Sequence, residues 1–235
     1  MKTMKKIVYI MVCAFLLVSC EWKEPVGWDS VIYCYLNGYF EAERMGAKAV
    51  GWYDNLIHLT FEGKEYSYMS DENTPNGRKF RELSDRYGDT DCWERIFVGS
   101  PIALCNEFTR MDVVSDRPFN DIPAGSSLGG VVKLLTSSAK PFLDSGYKDR
   151  FNWWSEDIPA EYGKDIVYNL HNGDPGFHPV SGLLSELDPE TLMLFAVSEV
   201  WMLFTEEPEE KEHTFTITLQ DRAGRTLSCT IAYTF

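Results

Sequence analysis

From Thr214 to the last residue, apolar and hydroxyl side chains alternate, and a period of two leaves the chain little choice. Phe215, Ile217 and Leu219 alternate with Thr214, Thr216 and Thr218. Asp221-Arg222-Ala223-Gly224 then supplies turn residues, after which Leu227, Cys229, Ile231, Tyr233 and Phe235 alternate with Thr226, Ser228, Thr230 and Thr234. A helix would scatter both sets around its circumference, whereas a strand gathers each set on one face. The segment predicts a long antiparallel hairpin with one core face and one wet threonine face. Cys229 falls with the core set and reads as a packed thiol.

An isolated hairpin is at best marginally stable, so its apolar face requires a second layer. Val31-Ile32-Tyr33-Cys34-Tyr35-Leu36 reads as a strand ending at an Asn37-Gly38 turn, and Asn55 to Phe61 as another, with Ile57, Leu59 and Phe61 facing inward. Thr74-Pro75 has the chemistry of a helix start, Phe80, Leu83 and Tyr87 share one helical face, and Gly88 is placed to end the helix. Arg95 to Val98 and Ile102 to Val114 predict further strands. Ser126-Ser127 predicts the cap of a helix burying Leu128, Val131, Val132 and Leu135, although Gly129-Gly130 weakens it by about 1 kcal/mol per glycine. Tyr147 to Gly182, rich in turn residues, predicts mostly loop with a strand near Ile166-Val167-Tyr168. Asp188-Pro189 caps one short turn, and Leu192 to Phe204 is a buried strand or two. Pro208, within the acidic run Glu206 to Glu212, marks a solvated loop. The fold class expected is mainly β or α+β: an antiparallel β-sandwich-like core with a few short helices, in one domain over residues 31–235.

The other end of the chain specifies an address. Lys2, Lys5 and Lys6 precede the uncharged apolar run Ile7 to Val18. A bilayer span needs about 17–25 residues, so this run is too short to cross and fits the apolar core of an export signal. It ends at Leu17-Val18-Ser19-Cys20, which resembles the lipobox of bacterial lipoproteins. The resemblance implies cleavage before Cys20, with residues 1–19 as the signal, residues 20–30 as lipidated cysteine and tether, and acyl chains on the Cys20 thiol. Two or more chains give stable anchoring where one does not. Glu21 stands where enterobacteria read Asp as an inner-membrane retention mark, which favours the outer membrane. Glu21 and Glu24 loosely resemble the surface-export tethers of Bacteroides-type lipoproteins, and the leaflet is left open.

Charge excludes some partners. The first 19 residues hold three of the 22 basic residues and none of the 36 acidic ones, so the remainder carries 19 − 36 = −17. That opposes nucleic acid, whose phosphates require Lys and Arg, and opposes electrostatic adhesion to anionic lipid. Beyond Cys20, the cysteines are Cys34, Cys92, Cys105 and Cys229, which allow three pairings that sequence does not choose among. No CxxC spacing occurs, so zinc ribbons and thioredoxin-type chemistry have no support.

The run Ser115-Asp116-Arg117-Pro118-Phe119-Asn120-Asp121-Ile122-Pro123-Ala124-Gly125-Ser126-Ser127-Leu128 resembles a segment of Bacteroidales lipoproteins of unknown function. In those, a strand runs into a Pro-Ala-Gly-Ser turn and then a short helix. Thr214 to Leu219, Asp221 and Gly224-Arg225-Thr226-Leu227 resemble their closing hairpin. The likeness covers the lipobox and about a third of the remaining chain. It implies a lipid-anchored, β-rich envelope protein and carries no catalytic residue.

Four constellations bear on chemistry. Gly125-Ser126-Ser127-Leu128-Gly129 matches the GxSxG of serine hydrolases, but that motif works on a strand-to-helix elbow over a parallel sheet, and no βαβ alternation surrounds it. Ser126 or Ser127 reads better as a helix cap. His171, Asp174 and His178 supply metal-capable groups in a loop, and Asp71, Glu72, Asp85, Asp89 and Asp91 supply oxygens out of EF-hand order. Neither set amounts to a metal site. Phe151-Asn152-Trp153-Trp154-Ser155-Glu156-Asp157 places paired indoles beside polar groups, as sugar-binding faces do, while core packing of Trp153 and Trp154 is the plainer account. The expected function is a non-enzymatic binding or interaction module, lipid-anchored at Cys20, with no cofactor, no metal, no catalytic residue and no nucleic acid, and with a protein or glycan partner. A glycan-binding accessory lipoprotein using Trp153 and Trp154, a structural subunit of an envelope complex and a serine hydrolase using Ser127 are the alternatives.

Overall fold

The computed structural model describes residues 34–51, 53–92, 101–154, 158 and 174–235. These fall in one compact unit, Tyr33–Phe235. In chain order the elements are β1 (Gly38–Ala49), β2 (Leu56–Ser67), α1 (Pro75–Tyr87), β3 (Ile102–Leu104), β4 (Phe108–Ser115), β5 (Val132–Ser138), α2 (Lys140–Asp144), β6 (His178–Leu183), β7 (Phe195–Phe204), β8 (Glu212–Asp221) and β9 (Thr226–Thr234). A single 3-10 turn, Pro189–Thr191, precedes β7.

Two sheets face each other. The larger has the order β2-β1-β3-β7-β5-β6, and β2 also pairs with β7, which closes β2, β1, β3 and β7 into a ring. The smaller is the meander β4-β8-β9. Strands β1 and β3 run parallel, and the other described pairings are antiparallel. The protein is therefore mainly β with a sandwich-like core, as the alternating segments required. Between the sheets lie Ile57, Leu59, Val132, Leu134, Met202 and Phe204 from the larger, and Val113, Phe215, Ile217 and Leu219 from the smaller. Phe215, Ile217 and Leu219 are fully buried, each worth about 1.5–3 kcal/mol relative to exposure. Their register partners on β9 are Ile231, Cys229 and Leu227, and Cys229 packs half-buried against this core.

The first strand starts later than its sequence suggests. Residues 31–33 lie outside the described residues, and Cys34 to Asn37 are not strand. The Tyr35 and Leu36 amides donate to the Asp89 carboxylate at 2.7 and 2.9 Å, so their hydrogen bonds go to a side chain rather than to a neighbouring strand. Gly38, expected in a turn, begins β1 instead. In the β1–β2 hairpin the register shifts between Ala42 and Arg44. Gly63 opposes that bulge, where a Cβ would come within 2.0 Å of the Glu41 carbonyl oxygen, so the close approach of the strands requires glycine.

Helix α1 follows its signals. The Thr74 side chain accepts from the Gly77 amide at 3.1 Å, Pro75 sits in the first turn, and Gly88 closes the helix at φ 68°. Phe80 and Leu83 are buried, with the Phe80 ring 5.4 Å from that of Tyr39 on β1. The helix expected after Ser126-Ser127 does not form. The Leu128 amide donates to the Val113 carbonyl at 2.8 Å, which seals the outer edge of β4, and Gly129-Gly130 leads into β5. Leu128, Val132 and Leu135 are buried and Val131 partly so, but Leu128 precedes the turn at Gly129-Gly130, and Val132 and Leu135 lie on a strand between β7 and β6 covered on both faces. Val132 and Leu134 face the inter-sheet core while Leu135 joins Leu56, Trp201 and Trp153 on the opposite face. A strand buried on both sides has continuous apolar sequence, and that pattern mimics a helical one over short runs. Helix α2 carried no sequence signal, and β6 occupies the end of the stretch read as loop. Arg95 to Val98 and Ile166-Val167-Tyr168 lie outside the described residues.

Candidate functional site

Trp153 and Trp154 are parted by the fold. Trp153 is 1% exposed, and its indole N–H points at the carbonyls of Phe177 and Asp174, at 2.8 and 3.2 Å. Its ring packs edge-on to Phe151 at 5.0 Å. Trp154 is 66% exposed. Successive residues in a turn point apart, so the pair forms no common stacking platform. Trp153 closes the outer face of the larger sheet, and Trp154 alone meets solvent.

Ser127, the serine of GxSxG, donates to Asp112 Oδ1 at 2.6 Å and accepts from the Gly129 amide at 3.2 Å. Asp112 also pairs with Arg110 at 3.1 Å. No strand-to-helix elbow exists here, because the residues after Ser127 run into a strand. The described histidines are engaged elsewhere: His58 with the Ser198 carbonyl, His178 with the Asp149 carbonyl, and His213 with Ser115 and the Glu210 carbonyl. The hydrolase arrangement pairs its serine with an imidazole, and Ser127 reaches the Asp112 carboxylate and none of the described histidines. Two shallow cavities, of about 230 and 250 Å³, share Arg110 and Asp112. One opens onto the threonine face of β8 and the other runs along Ser127, Ser185 and Leu187. Such a polar surface offers hydrogen bonds and one guanidinium, with no deep enclosure.

A Ser–His pair that the sequence reading did not single out does occur, between Ser115 Oγ and His213 Nδ1 at 2.8 Å. Both residues are 3% exposed. The imidazole stacks on Phe215 and is boxed by Phe119 and Phe235. With no route for a substrate, its work is to tie β4 to β8. Only their opposition in register, Ser115 to Phe215 beside His213, brings the two together.

The acidic residues serve the fold. Asp89 is fully buried, accepts from the Tyr35 and Leu36 amides, and also receives the Tyr147 and Tyr39 hydroxyls at 3.1 and 3.4 Å. Burial raises its pKa against the lowering effect of those donors. Asp71 accepts from the Asn73 amide at 2.8 Å ahead of α1. Asp174 receives the Tyr35 hydroxyl and the Gly176 amide, and the Tyr35 ring lies where a Cβ on residue 176 would stand. His171 lies outside the described residues, as does Cys20. Among the described residues, no group of three His, Cys, Asp or Glu side chains is placed to hold a metal ion, and no helix is long and apolar enough to cross a membrane.

A larger concavity among the described residues carried no sequence signal. It has a volume of about 740 Å³ and lies between α2, β6 and the segment Glu186 to Thr191. Its lining mixes Pro141, Pro179, Val180 and Leu187 with Asp144, Glu186, Asp188 and Glu190. These residues come from two stretches far apart in sequence, one around α2 and one running from β6 to Thr191, so no local pattern announces them. No family model, curated protein sequence or solved structure matches the chain.

Proposed function

We propose that this is a lipid-anchored protein of a bacterial cell envelope, of the Bacteroidales type, which acts by binding a partner rather than by catalysis. The carrying observation is the run Leu17-Val18-Ser19-Cys20 at the end of a short apolar segment preceded by three lysines. Acyl chains on Cys20 hold the domain at the membrane, in keeping with an acidic chain that anionic lipid would repel. The engagement of Ser127 by Asp112, and of Ser115 with His213 inside the core, supports a non-catalytic role. Metabolic labelling with a palmitate analogue tests the anchor. Wild type should incorporate label and sediment with membranes, and Cys20→Ala should do neither. Membrane retention of Cys20→Ala without label would overturn the anchor. Protease treatment of intact cells then decides the leaflet: shaving places the domain at the surface, and protection places it in the periplasm.

A glycan-binding accessory role is the second reading, and it rests on the exposure of Trp154. It requires that oligosaccharide quench or shift the fluorescence of wild type and not of Trp154→Ala. Equal responses in both proteins would end it.

A further inference from the structure

We propose that the groove between α2, β6 and the Glu186 to Thr191 segment docks an extended segment of a partner protein bearing lysine or arginine. The inference deepens the binding role proposed above and rests on it. Three observations carry it. The groove holds about 740 Å³, against 210 to 250 Å³ for its neighbours, which places it within the range of recognition pockets. It is elongated, because a second cavity of about 210 Å³ shares Lys140, Asp144 and Glu190 with it and carries the cleft on past α2 to Arg222.

The third observation is charge. The lining of the larger groove carries the carboxylates of Asp144, Glu186, Asp188 and Glu190 against the single ammonium of Lys140. That ammonium is already held by Asp144 at 2.6 Å. Arg222, in the adjoining cavity, is held by Glu190 at 2.7 Å. Asp188 spends one oxygen on the Glu190 amide, and Glu186 makes no ion pair among the described residues. Within the larger groove the surplus is therefore negative, and it stands over Pro179, Val180 and Leu187. A lysine or arginine suits this combination: its aliphatic stem covers apolar wall while its charged head reaches the carboxylates. Acidic segments and nucleic acid are repelled by the same charges.

The test uses the full-length protein in detergent micelles and a fluorescent synthetic peptide of alternating lysine and valine. Wild type should bind it, more weakly as salt rises. Glu186→Lys with Glu190→Lys should weaken binding at least about tenfold, a loss of about 1.4 kcal/mol. Glu43→Lys with Glu65→Lys changes the net charge equally on the β1–β2 hairpin and should leave affinity within about twofold. Melting curves establish that both variants are folded. No binding by wild type, or equal weakening in the two double variants, overturns the groove. In producing cells, a photo-crosslinker at Leu187 should form a protein adduct that the lysine peptide abolishes. Adducts from Thr230 but not from Leu187 would overturn the groove and leave the binding role standing. Adducts from neither position, with peptide binding intact in vitro, would count against the binding role itself.

Discussion

Arg225 Nη1 lies 2.7 Å from Glu41 Oε1, and this pair ties the β8–β9 turn of one sheet to β1 of the other. Arg225 also reaches Asp221, with its side chain at 2.8 Å and its amide at 2.8 Å. Glu41 in turn receives the Tyr66 hydroxyl at 2.8 Å. The Asp221 side chain is only 4% exposed, against 51% for Arg225. The worth of Arg225 thus lies mainly in satisfying the buried Asp221 carboxylate. Arg225→Met should cost about 1–2 kcal/mol in urea unfolding. A change below a few tenths would mean that water replaces the guanidinium without loss.

Glu41 also sets an acid limit. Partial burial acts to raise its pKa, but hydrogen bonds from Tyr66 and Arg225 outweigh it and hold the carboxyl below its ordinary 4.5. A carboxyl with a depressed folded pKa adds stability that is complete above its unfolded value and lost as pH falls through the folded one. The wild-type melting temperature should therefore fall below pH 4.5 more steeply than that of Glu41→Gln. Parallel curves for the two proteins would remove Glu41 from the account.

Cys105 should be inert. Burial, followed by the nearby Glu41 charge, pushes its thiol up to about 12, and the thiolate is the reactive form. In the native protein at pH 8, a maleimide should leave Cys105 unmodified, and unfolding in urea should expose it. Rapid native labelling mapped to Cys105 by mass spectrometry would contradict this.

The two tryptophans should separate in a single experiment. Trp153→Ala opens a cavity on the outer face of the larger sheet and should cost about 3–5 kcal/mol. Trp154→Ala removes an exposed ring and should stay within about 0.5 kcal/mol. Comparable losses would mean that Trp154 is covered in solution.

Thr74→Ala tests the best-defined cap. Loss of its bond to the Gly77 amide should cost about 1 kcal/mol, and Thr74→Ser should keep nearly all of it. A neutral Thr74→Ala would show that Pro75 and the Arg78 amide bond to the Thr74 carbonyl suffice to start α1.

Local chemistry made parts of the fold legible. The β8–β9 hairpin, α1 with both caps, the Asp188 turn and the strand at Phe195–Phe204 each announce themselves through a period, a cap or an apolar run. The segment Leu128 to Leu135 misleads because Val132 and Leu135 are both buried, a spacing that suits a helix. Only the presence of β6 and β7 on its flanks makes the part from Val132 onward a strand buried on both faces. Val31 to Leu36 has strand composition, yet Asp89, more than fifty positions away in sequence, takes the amides of Tyr35 and Leu36.

The candidate sites divide in the same way. A lipobox-like run is recognised residue by residue, so the proposal at Cys20 needs no fold. The burial of Trp153, the attachment of Ser127 to Asp112 and the acidic groove at β6 depend on elements that meet only after folding. By itself, the sequence determined the alternation of side chains, the helix caps and the net charge, because these are properties of neighbours along the chain. The tertiary structure alone decided which indole faces water, which carboxylates are buried and where an acidic concavity forms. Burial and hydrogen-bond partnership are settled by residues far apart in sequence that the two packed sheets bring together.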